Sequence, residues 1–168
     1  LQSNTSGSNL TAVGLGALTS NTTANGNTAV GFNCMALNTT GASNTALGAE
    51  ALDASTTGVS NVALGKGALT ALTTAAYNTA VGTSTLQGIT TSSANTAVGY
   101  TALLNGNRAN NVAVGFEALR QGASGDSNVA VGYVALTTNT ADQNTAVGHN
   151  AMKFNTSGTQ NVAVGAFA

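Results

Sequence analysis

Asn95-Thr96-Ala97-Val98-Gly99-Tyr100-Thr101-Ala102-Leu103 decides how this chain folds, because the stretch returns in nearly the same form along the whole length. Its central glycine recurs as Gly14, Gly31, Gly48, Gly65, Gly82, Gly99, Gly115, Gly132, Gly148 and Gly165, seven times at a spacing of 17 and twice at 16. A fixed period of this length marks a repeat architecture, in which each copy is one structural unit stacked on the next. Side chains alternate between the two faces of a strand. Thr96 and Val98 therefore share one face, and Asn95 and Ala97 share the other.

The Val98 position holds only Val or Leu in all ten copies, which predicts an inward core column. The Thr96 position accepts Thr or its near-isostere Val (Val62, Val112, Val129, Val162), which predicts packing on the same side. Gly99 marks a corner, where freedom of φ is useful. A second short strand is expected at Ala-Leu (Ala17-Leu18, Ala51-Leu52, Ala102-Leu103), with its Leu closing the core from the opposite wall. Polar turns such as Asn38-Thr39-Thr40-Gly41 complete the coil. Residues 1–168 thus read as one domain: an all-β, parallel β-solenoid of ten coils of about 17 residues. At roughly 4.8 Å per coil it would form a rod of about 48 Å. One coil cannot bury its own apolar face, but stacked neighbours can.

The middle residue of the strand is Ala in every copy: Ala12, Ala29, Ala46, Ala63, Ala80, Ala97, Ala113, Ala130, Ala146 and Ala163. An outward position would be expected to vary, so unvarying Ala suggests that another backbone approaches closely. This column is the expected interface of a homo-oligomer. Leu1 and Ala168 fall at adjacent points of the repeat without a capping segment. That arrangement suits a piece of a longer fibre or a unit that stacks end to end.

The Asn-Thr-Ala-Val-Gly and Asn-Val-Ala-Val-Gly motifs resemble the head repeats of trimeric autotransporter adhesins (YadA-like heads) and related repeats of phage tail fibres. The resemblance covers essentially the whole chain, although the repeat here is longer than is usual in those heads. It implies a left-handed parallel β-roll, assembled as a homotrimeric fibre and displayed outside the cell, on a bacterial surface or a virion tail fibre, to attach to host surfaces.

Composition narrows the alternatives. Charged residues make up 5% of the chain, against roughly 25% in ordinary proteins, and Lys66, Arg108, Arg120 and Lys153 are scattered. No basic patch is present for a phosphate backbone, so nucleic acid is not an expected partner. No apolar run approaches the roughly 18 residues that read as a membrane span, so membrane insertion is not expected. The acids are Glu50, Asp53, Glu117, Asp126 and Asp142, and the one histidine is His149. Glu50 and Asp53 share a coil, but the set is too sparse for the paired carboxylates of a glycan-cleaving solenoid. Cys34 and His149 lie seven coils apart, so neither a metal nor another cofactor is expected, and the chain does not read as an enzyme.

The slot after each glycine carries Tyr100, Phe116, Tyr133 and His149 in four successive copies. A ladder of rings follows, either a stripe for recognising a host glycan or protein, or plain stacking that steadies a corner or an inter-chain seam. Threonine rows raise a further alternative, an ice-binding solenoid, weakened because the strand row is broken by Val and expected to face inward. Asn4, Asn9, Asn21, Asn38 and Asn155 head Asn-x-Ser/Thr sequons, which an Asn- and Thr-rich chain contains by composition. The expected function is a structural or adhesive fibre segment that self-associates and presents its turns for surface attachment. A self-stacking extracellular filament subunit is the other structural reading.

Overall fold

The computed structural model describes residues 1–121 and 125–168. The strands are β1 (Thr11–Val13), β2 (Thr28–Val30), β3 (Thr45–Leu47), β4 (Val62–Leu64), β5 (Thr79–Val81), β6 (Thr96–Val98), β7 (Val112–Val114), β8 (Val129–Val131), β9 (Thr145–Val147) and β10 (Val162–Val164). They form one ten-stranded sheet in chain order. Every pair is parallel and in register, so Ala80 lies against Ala97 and Val81 against Val98. The chain is a parallel β-solenoid, as the period requires.

The face assignment is reversed from the sequence expectation. Ala29, Ala46, Ala63, Ala80, Ala97, Ala113, Ala130 and Ala146 are fully buried within the single chain, and Ala12 and Ala163 of the terminal coils are half-buried. The alanine column is therefore core and cannot be an interface between chains. Val13, Leu47, Val98 and Val164 point outward and stay exposed. Size gives the reason. The opposite wall fills the narrow lumen with Leu52, Leu69, Leu86 and their equivalents, leaving room across from them for a methyl group but not for a branched side chain.

That opposite wall is a ladder of turns where a second strand was expected. Its core residue adopts positive φ in each coil, as at Leu52 (φ 52), Leu69 (φ 54) and Leu86 (φ 53), and the residue two places earlier does the same, as at Glu50 (φ 61) and Ser84 (φ 55). A left-handed conformation costs a non-glycine residue roughly 1–2 kcal/mol. Full burial of a leucine contributes about 1.5–3 kcal/mol, and ladder bonds such as Leu52 N–H to Ala68 O (3.0 Å) and Glu50 N–H to Phe32 O (2.8 Å) hold the geometry. Alternation of handedness also explains why consecutive residues, Ala51 and Leu52, can both be buried, which a strand would not allow.

At the corner after each strand, glycine is obligatory. Gly82 has φ 131, and a Cβ there would sit 2.3 Å from the carbonyl oxygen of Gly99. Coils pack at the spacing of hydrogen-bonded backbones, so no side chain fits in that column.

Two columns of polar side chains run inside the rod. Beside the strands, Asn27, Asn44, Asn61, Asn78 and Asn95 are fully buried one coil apart. Asn61 Oδ1 accepts from the backbone N–H of Asn78 (3.0 Å) and from its Nδ2 (3.2 Å), while Asn61 Nδ2 donates to Ala75 O (2.9 Å). The column continues through Asn111, Asn128, Asn144 and Asn161. At the other corner, Asn21 and Asn38 form a second column with Asn4. Buried amides are tolerated because most of their donors and acceptors are matched, Asn38 Oδ1 and Asn128 Nδ2 being exceptions; a missing partner costs about 1–3 kcal/mol.

Candidate functional site

What this rod offers to other molecules lies on its outward columns. The strand face carries two of them: Val or Leu at one position, and Thr or Val at the other. Among these residues, Val98 (37% exposed), Leu47 (51%) and Val13 (57%) are open to solvent, and the rest of the face is half-buried or exposed. The sheet beneath is continuous and in register over all ten strands. The outcome is a long, regular, mostly apolar strip with hydroxyls at Thr11, Thr28, Thr45, Thr79, Thr96 and Thr145.

The ring ladder is present as the repeat spacing predicts. Tyr100, Phe116, Tyr133 and His149 stack in sequence with centroids 5.4, 5.2 and 5.1 Å apart. Phe167 closes the column edge-on against His149 at 5.1 Å, an addition that the sequence reading missed. Phe167 is one residue further along its own copy than the other rings, and the register shift hides it from column counting.

The turn threonines also form a regular column. Thr22, Thr39, Thr56 and Thr73 each donate a hydroxyl to the carbonyl of the threonine one coil on, at 3.0–3.3 Å. Their neighbours Thr23, Thr40, Thr57, Thr74 and Thr91 are exposed. Two of the sequon asparagines, Asn21 and Asn38, belong to the buried column and are inaccessible for modification in the folded rod.

Titratable groups remain dispersed. Burial and, behind it, the charge of Glu50 raise the pKa of the Asp53 carboxyl. Glu117 and Arg120 pair at 3.4 Å on the surface. Cys34 is fully buried with its Sγ 3.4 Å from Ala46 O, and burial pushes the thiol up to about 11. Among the described residues no group of three or more His, Cys, Asp or Glu side chains is placed to hold a metal ion, and no helix is long and apolar enough to cross a membrane. Comparison of the chain with protein families, curated proteins and solved structures gave no match.

Proposed function

We propose that this chain is a rigid, self-associating structural segment of an extracellular fibre, an adhesin head or tail-fibre shaft, whose copies pack through the outward strand face. The carrying observation is that face itself: branched apolar residues point outward at the same position in coil after coil, exposed at Val13, Leu47, Val98, Val147 and Val164 and half-buried in the others. A solvated strand face ordinarily carries polar side chains, and contiguous exposed apolar area of this kind marks an interaction surface. A second copy is the occupant that suits it. Two identical faces share one axial period, so every ridge of side chains meets a groove along the entire contact. The near absence of charge leaves nothing to repel a like surface. The resemblance to adhesin heads favours three chains about a common axis, with the turns left free for surface attachment.

Light scattering on the purified chain tests this, comparing Val81→Glu and Val98→Glu with Thr57→Glu on an exposed turn. The expected outcome is a trimer or larger oligomer that the two strand-face variants dissociate and the turn variant retains. A monomeric parent, or three variants of equal mass, would overturn the proposal. One observation favours a second reading. The strand threonines face outward, which removes one of the two objections to ice binding, although Val62, Val112, Val129 and Val162 still break the row. Thermal hysteresis by a monomer, lost in Thr79→Glu, would decide for it.

A further inference from the structure

The four stacked rings lie one corner away from the strand face, with interplanar angles of 17°, 9° and 7°. Tyr100 is 52%, Phe116 41% and Tyr133 50% exposed, and His149 is exposed as well. The coil does not need rings there. Leu15, Ala49, Lys66 and Thr83 fill the same slot in coils whose strands pair in the same register.

Stacking decides what such a column can recognise. An aromatic ring has a negative face and a positive rim. Between Tyr100 and His149 the facing ring surfaces cover one another, so along the column the rims are what solvent and ligands meet. A sugar packs its C–H face on the negative face of an aromatic ring, and those faces are occupied here. A flat π-system laid across the rims would instead meet them edge-to-face, the geometry that ring quadrupoles favour. Beside the rims runs the half-buried glycine column Gly99, Gly115, Gly132 and Gly148, from which no side chain projects over the rings. Glu117 and Arg120 neutralise one another nearby, so the track selects for shape and polarisability over charge.

We infer that the column from Tyr100 to His149 is a binding track for elongated planar aromatic molecules lying lengthwise along the rod. This inference does not rest on self-association, because the rings and the strand face are separate columns.

Fluorescence titration of the natively folded, size-selected chain with thioflavin T, and with uncharged curcumin, tests it. Saturable binding of both is expected. Phe116→Leu should weaken it about threefold to tenfold, the worth of one lost ring contact, and folding should survive because Leu15 occupies the same slot in the first coil. Phe116→Tyr should bind like the parent, and so should Phe32→Leu, whose neighbours Leu15 and Ala49 are not aromatic. No saturable binding, equal weakening by Phe32→Leu, or binding confined to aggregated material would overturn it. The oligomer mass, measured on the same samples, stands or falls independently of these outcomes.

Discussion

The two internal asparagine columns differ in continuity. The column beside the strands runs without a break from Asn27 to Asn161. At the opposite corner, Asn4, Asn21 and Asn38 give way to Ser55, Leu72 and Ile89 before amides return at Asn139 and Asn155. Both columns stack amides one coil apart, so the difference lies in what else they hold. In the unbroken column, each Oδ1 also accepts the next coil's buried backbone N–H, as Asn44 does from Asn61 (2.9 Å). No apolar residue can serve that donor. Within the broken column the amide bonds its neighbour's side chain and a carbonyl of its own turn, as Asn38 does with Asn21 and Gly41; only at Asn4 and Asn155 does Oδ1 also accept a backbone N–H, from Gly7 and Gly158 of the same turn. Leucine there removes donor and acceptor together, which can be nearly neutral. Amides persist where the backbone depends on them.

This contrast predicts a large effect first. Asn61→Leu strands the Asn78 N–H, the Ala75 carbonyl and part of Asn44, and should cost on the order of 3–5 kcal/mol in chemical denaturation. A loss under about 1 kcal/mol would mean that the unbroken column is as replaceable as the other. The break itself provides the converse. Asn38 Oδ1 and Ser55 Oγ are both buried without a partner. Ser55→Asn should rejoin the column, with Nδ2 reaching Asn38 Oδ1, and stabilise the rod by about 1 kcal/mol; a destabilised variant would show that the neighbouring Leu72 has closed the space.

The smallest expected effect concerns a buried polar group that belongs to neither column. The Cys34 thiol holds its proton up to about 11 in the folded state, against 9.0 unfolded. Deprotonation therefore favours the unfolded chain, and stability should decline as pH rises from 9.0 toward about 11. Cys34→Ala, which installs the residue found at Ala17 and Ala51, should flatten that decline. An unchanged pH profile would place its origin elsewhere.

Leu69 and Ala80 show where legibility stops. Leu69 was assignable to the core from its recurrence, but nothing local announces that a leucine will sit at φ 54. Only the ladder of neighbouring coils makes that backbone worth its strain. Ala80 was correctly placed on the face opposite Val81, yet inside and outside were exchanged. Hydrophobicity ranks valine above alanine for burial, whereas here volume decides. The ring column was legible because its members share one slot, and Phe167 was not because it sits one position off.

The sequence by itself determined the period, the parallel register and the alternation of faces, since these follow from spacing and from the pleat of a strand. Which face became the core was decided only when the coil closed. The lumen is too narrow for branched residues on both walls, so leucines took one side, methyl groups and paired amides took the other, and the valines were left outside.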